Sequence, residues 1–243
     1  MLSLFSFPAS AQSWQWGLQS VGTVMDRARV DAAALATDGA GNVYLGGTLV
    51  PDVGTQQPVS RTFGTITLTS PMASSPGSWL TSGYLAQASA NGQWQWAREF
   101  RTNSSSAFSY SAVTSVVATT TGDVYVAGTA GGSSIEVGGV SFSLLSPGNP
   151  NQFYNSYMFV ARLNSQGVCQ WVRTLPGSTK SLLAWSPGTN TLALADLSTQ
   201  DPPLCRAITS TLIPMPTWLL SARPGSGWGQ PKLLVPLLPN LPS

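Results

Sequence analysis

One phrase in this chain returns, and its return constrains the fold more than any other feature. "NGQWQWAREF" at Asn91 to Phe100 comes back as "QGVCQWVRTL" at Gln166 to Leu175, 75 positions later (171 − 96, Trp171 against Trp96). An earlier "SWQWG" at Ser13 to Gly17 has the same rhythm, with Trp16 in the place of Trp96. Residues two apart on a strand share a face, so Trp94 with Trp96, and Cys169 with Trp171, read as packing faces of equivalent strands. In this register Cys169 stands where Trp94 stands and reads as a small hydrophobe.

Around that strand the chain divides into two units, about Val30 to Phe100 and about Tyr110 to Leu175. Each opens on an apolar strand, a tight turn and a second strand: "AAALATDGAGNVYLGGT" in one, "TSVVATTTGDVYVAGT" in the other. Tyr44 and Tyr125 occupy the same place in the second strand. Gly41-Asn42 and Gly122-Asp123 supply the positive-φ tolerance such a turn needs. A middle segment follows ("RTFGTITLTS", "IEVGGVSFSLLS"), expected as a further short hairpin or strand, then "SGYLAQASANG" or "YMFVARLNSQG", and then the returning strand. Short strands repeated in blocks, with a strand donated across each boundary, follow the logic of a β-propeller, in which no blade buries both faces alone. "SWQWG" reads as the closing strand of a preceding unit, or as the strand that would close a ring. The expected fold is all-β, with two complete propeller-like blades and a third, partial one, an incomplete propeller.

Those motifs resemble a known family. "GNVYLGGT", "GDVYVAGT", "GYLAQASANGQWQWA" and "MFVARLNSQGVCQW" look like the SBBP-type β-propeller repeats of secreted bacterial proteins. The resemblance covers about Val30 to Leu175. It implies propeller architecture, export and a cell-surface or extracellular role, and it brings no catalytic residues, because the family shares none.

A third unit begins in "SLLAWSPGTNTLALADL" at Ser181 to Leu197, with Gly188 to Thr191 as its turn, and the pattern then stops. From Pro202 to Ser243 prolines are dense and no repeat strand is expected, since proline cannot donate to a central ladder. The stretches "TWLLSA" and "PKLLVPLLPNL" are too apolar for a solvated linker. The codons for Met215 to Leu219, read one base earlier, permit Asp-Ala-Tyr-Val-Ala, the counterpart of "SGYLA" at Ser82 to Ala86. Out-of-frame translation after about Ala195 is therefore one reading of residues 198–243. The other end, "MLSLFSFPASAQ", reads as a shortened export signal over residues 1–11, with Ala9-Ser10-Ala11 as its small-x-small site. The repeat region is then residues 12–197. A propeller of two and a half blades cannot close, so marginal stability or aggregation of the isolated chain is expected.

Composition narrows the chemistry. Charged residues make up 8% of the chain, with 11 Lys+Arg against 9 Asp+Glu and a net charge of +2. That gives no basic face for nucleic acid and no polybasic patch for lipid. No segment approaches the ~20 apolar residues of a membrane helix. Histidine is absent, which removes Ser-His-Asp triads, Cys-His pairs and His-based zinc sites. The two cysteines, Cys169 and Cys205, read as unrelated thiols. No cofactor is expected.

Candidate sites are few. Asp38 and Asn42, in "DGAGN", alternate oxygens with glycine as a calcium loop does, but lack the closing bidentate Glu, so a hairpin turn is the preferred reading. Trp14, Trp16 and Trp79 are the tryptophans free to stack on sugar rings, whereas Trp94, Trp96 and Trp171 are assigned to packing. "GTAGGSSIEVGG" lacks the Lys and helix of a phosphate loop. Two functions stay open: a secreted or cell-surface interaction or adhesion scaffold, read as a fragment of a larger protein, that meets an unknown protein or polysaccharide, or a carbohydrate-binding or carboxylate-dependent hydrolase propeller. The strands expected innermost, "AALAT", "TSVVAT" and "SLLAWS", carry no inward acid, which favours the first.

Overall fold

Alternating β-branched, aromatic and small residues bounded by glycine turns give strands throughout. The computed structural model describes residues 16–22, 29–51, 58–70, 79–103, 108–144, 156–176, 181–188, 191–197 and 205–211. Among these residues there are sixteen strands and no helix, and hence no helix long and apolar enough to cross a membrane. The protein is all-β, an incomplete propeller-like array.

Unit one is a four-stranded antiparallel meander of β2 (Arg29–Thr37), β3 (Val43–Val50), β6 (Trp79–Ala88) and β7 (Trp94–Asn103). Unit two repeats it with β8 (Phe108–Ala118), β9 (Val124–Gly131), β12 (Ser156–Leu163) and β13 (Cys169–Pro176). The register repeats to the residue. Ala32 faces Gly47 and Val113 faces Gly128, each beside a bulge. Ala88 faces Trp94 and Leu163 faces Cys169, again beside a bulge. The expected equivalence of Trp94 and Cys169 is thus a structural one.

All four meander turns share one construction. In Asp38–Asn42, Ser89–Gln93, Thr119–Asp123 and Asn164–Val168 the first N–H donates to the fifth carbonyl and the fourth N–H to the first carbonyl. The first side chain (Asp, Ser, Thr or Asn) also accepts from the fifth N–H, at 2.9–3.2 Å. The fourth residue is always glycine, with φ between +72° and +85°, a region costly for any residue with a Cβ. Four unlike loop sequences therefore encode one turn.

The middle segments are hairpins, β4 (Ser60–Phe63) with β5 (Ile66–Thr69) and β10 (Ser134–Val137) with β11 (Val140–Ser143). Neither joins its own meander. β10 pairs with β7 of unit one, Ile135 opposite Thr102 and Glu136 opposite Arg101. β4 pairs with β1 (Val21–Gly22), Arg61 opposite Gly22 and Thr62 opposite Val21, the same register in the preceding joint. At these two joints the exchange is of a whole hairpin, reaching back onto the preceding closing strand. The N-terminal Trp16–Gly22 segment takes the place of such a closing strand. A short parallel pairing of Trp79–Thr81 with Phe108–Tyr110 adds a second tie.

The sheets stack face to face, and period-two alternation divides their side chains between neighbouring layers. Tyr44, Leu85, Trp96 and Phe100 of unit one meet Val113, Val116, Val126 and Phe159 of unit two, with the rings of Phe100 and Phe159 stacked at 5.4 Å. On the far side of unit one, Tyr84, Ala86 and Ala97 pack with Phe63 and Leu68 of the β4–β5 hairpin. On the far side of unit two, Tyr125, Ala127, Met158 and Val160 meet Leu192 and Leu194 of the third unit. Each large side chain so buried is worth about 1.5–3 kcal/mol. Small residues set the approach: a Cβ on Gly46 would lie 2.6 Å from Val113 Cγ1 and 2.8 Å from Val116 Cγ2.

The third unit is a separate sheet of β14 (Ser181–Ser186), β15 (Thr191–Leu197) and β16 (Cys205–Thr211). Two expectations change here. Thr191 already belongs to β15, so it is not part of the turn. β16 lies inside the segment where no strand was expected, beside β15 with Leu194 opposite Ile208, as β6 lies beside β3 with Leu45 opposite Ala86. Pro202 and Pro203 precede this strand and leave its ladder intact. The export-signal segment, Trp14 and residues 212–243 lie outside the described residues.

Candidate functional site: the joint between units

The closing strands that precede units one and two each carry a tryptophan that caps the following unit's last turn. The Trp96 indole lies over Gly167, where a Cβ would come within 2.6 Å of Trp96 Cδ2, and its Nε1 donates to Ser165 O at 3.0 Å. One joint earlier, Trp16 lies over Gly92 and donates to Ala90 O at 2.7 Å. Trp16, one of the tryptophans considered for sugar stacking, is half-buried in this capping position. Trp79 opens β6, and its side chain, like the whole of Trp14, lies outside the described part of the molecule.

Sequence reasoning missed the arginine two residues on. Arg98 donates from Nε to Gly167 O at 2.9 Å and from Nη1 to Ala97 O at 2.9 Å, its guanidinium beside the Trp96 ring. Arg173 stands beside Trp171 in the same way. The signal was present as Trp-x-Arg at both places, 96/98 and 171/173, but charged residues in a strand read first as solvent-facing.

Tyr44 and Tyr125 are buried against these tryptophans, each 6.1 Å between centroids, from Trp96 and Trp171 respectively. Burial pushes both phenols above their ordinary pKa. The Tyr44 hydroxyl donates to Asp38 Oδ2 at 2.9 Å and accepts from Gln87 Nε2 at 3.1 Å. Asp38 also accepts from the N–H groups of Ala40 and Asn42 on Oδ1 and from Asn42 Nδ2 on Oδ2. Burial alone would raise its pKa, but these hydrogen bonds outweigh burial and hold the carboxyl below its ordinary value. With four donors already on its two oxygens, the Asp38–Asn42 pair is wired as a turn. Unit two meets the same need differently: Thr119 takes the turn position and Asp123 pairs with Arg162 at 2.7 Å.

Trp94 is half-buried, edge-on to Phe63 at 5.0 Å. Cys169, in the same register, is a free thiol at 8% exposure, and burial pushes its pKa up to about 11. Such a thiol stays protonated and unreactive near neutral pH.

Beside the joint is an open cleft of about 370 Å³, lined on one side by Arg98, Glu99 and Arg101 of β7 and on the other by Glu136 and Val140 of the β10–β11 hairpin. Glu99 is held by Arg101 at 2.8 Å. Among the described residues no group of three His, Cys, Asp or Glu is placed to hold a metal ion. Compared with protein-family models and with curated proteins, the sequence matches none.

Proposed function

We propose that the protein is a non-catalytic repeat scaffold of the cell exterior, binding a protein or polysaccharide through loops and clefts at its unit joints. The observation that supports this is where the reactive side chains are spent. Asp38, Asp123, Arg98 and Arg162 tie turns and blades together, Cys169 is a buried spacer, and Trp16 and Trp96 cap turns. Among the described residues a mixed-charge cleft stays open, where the Arg101–Glu99 pair faces Glu136 and Val140. A shallow site of both signs suits a polar polymer or a protein surface better than a small apolar ligand.

The test is binding of the full chain to a panel of bacterial surface polysaccharides and surface proteins by biolayer interferometry, beside Glu136→Ala and Val140→Ala. Saturable binding weakened at least about tenfold by either change supports the reading. Turnover of a glycan in the same panel, lost in Glu136→Gln, would replace it with the hydrolase alternative.

A further inference from the structure

Two ends of this chain are complementary halves of one blade. At one end, Trp16–Gly22 is a closing strand with no meander of its own among the described residues: it pairs with β4 and caps Ala90 and Gly92, as β7 pairs with β10 and caps Ser165 and Gly167. The edge that β7 gives to β6 has, in this segment, no strand partner among the described residues. At the other end, β14–β15–β16 is a meander with no closing strand among the described residues. The outer edge of β16, which β6 and β12 give to β7 and β13, has no strand partner among the described residues.

The faces match as the edges do. Leu35 on the front of unit one is 68% exposed, whereas its counterpart Val116 is 6% exposed because unit one covers it. Ala32 is exposed where Val113 is fully buried. On the outer face of the third unit, Leu182 is 53% exposed and Ala184 lies beside it.

We propose that a second copy of this chain covers both ends. The Trp16–Gly22 strand of each copy completes the third unit of the other, and Leu35 of one seats against Leu182 and Ala184 of its partner. Three units from each of two copies make six blades, within the about 4–8 with which propellers close. Every contact in the new joint repeats one that the chain makes between its own units, which is why the occupant is another copy and not an unrelated protein. Two identical joints close the ring by a two-fold axis. The inference stands independently of any external ligand.

The register fixes a cross-link. Ile208 holds the place of Ala86, which faces Ala97, the counterpart of Gly17. In a Cys205→Ser background, Gly17→Cys and Ile208→Cys chains are made separately, mixed and oxidised. The expected product is a reducible covalent pair at twice the 25.4 kDa chain mass, and light scattering of the unmodified chain gives the same doubled mass. Leu35→Asp, at an exposed position that leaves the folded monomer intact by circular dichroism, weakens the pair by at least about tenfold. A monomer at tens of micromolar, a disulfide formed within one chain carrying both cysteines, or a ladder of open oligomers would each overturn ring closure by two copies.

Discussion

Gly167→Ala and Gly139→Ala together separate two effects that single glycine substitutions confound. Both glycines hold left-handed backbone, φ +72° and +87°, so each alanine carries a strain of about 1–2 kcal/mol. At Gly139 a new Cβ meets nothing within 4 Å, and strain is the whole effect. At Gly167 it meets Trp96 Cδ2 at 2.6 Å and Cε3 at 2.8 Å, inside ordinary contact by about 1 Å. The ring has little room to retreat, being 6% exposed with Tyr44 at 6.1 Å on another side. Overpacking of this kind costs about 1–3 kcal/mol, and moving the indole off Ser165 O forfeits about 1 kcal/mol more. Gly167→Ala should therefore cost about 3–6 kcal/mol against about 1–2 for Gly139→Ala. With a urea slope of about 2–3 kcal/mol/M, its midpoint falls roughly 1 M further. The assay is urea unfolding followed by tryptophan emission at one fixed protein concentration, because self-association shifts midpoints. Equal midpoints for the two variants would refute the cap as a stabilising contact.

Two further outcomes follow from the buried acids and phenols. Asp38→Ala leaves four donors without their acceptor and should cost about 1–3 kcal/mol, while Asp38→Thr, which imitates Thr119, should cost less than half of that. Because the folded carboxyl titrates below its ordinary value, the advantage of Asp over Thr is present above about pH 4 and shrinks as pH falls toward 2; melting temperatures of both proteins across that range check it, and a constant gap counts against it. Tyr84, 1% exposed, has its pKa raised to about 12 by burial, so the unfolded chain ionises first and stability falls between about pH 10 and 12, by up to ~1.4 kcal/mol per unit. Absorbance at 295 nm should show this phenol ionising only as circular dichroism is lost, with a shallower fall in Tyr84→Phe; ionisation near pH 10 in the intact fold would contradict it.

What the sequence revealed was whatever repeats locally. Alternation and turn chemistry act over a few residues, so the equivalence of Trp94 with Cys169 and the turn glycines at 41 and 122 were legible in the residues themselves. Strand exchange was not: "SIEV" and "SRTF" fit a hairpin equally well in either sheet, and the choice of the preceding unit depends on which edge lies nearby. Trp16 was legible as a match to Trp96 but not as a cap, because its socket at Ala90 and Gly92 lies more than seventy residues away. The role of Arg98 was hidden by its charge. β16 was hidden by its flanking prolines, which bar ladder pairing only at their own positions.

The backward reach of the hairpins sets sequence and sheet out of phase. Among the described residues, unit one lends two strands to the closing strand before it, and unit two lends two to unit one. A cut in the linker after Asn103, the natural boundary by sequence, would leave β7 without β10 and split one sheet between two fragments. Recombination that inserts or deletes one repeat conserves every sheet only because the lent hairpin has the same register wherever it lands. Such an array can change its blade count over evolutionary time without redesigning a joint.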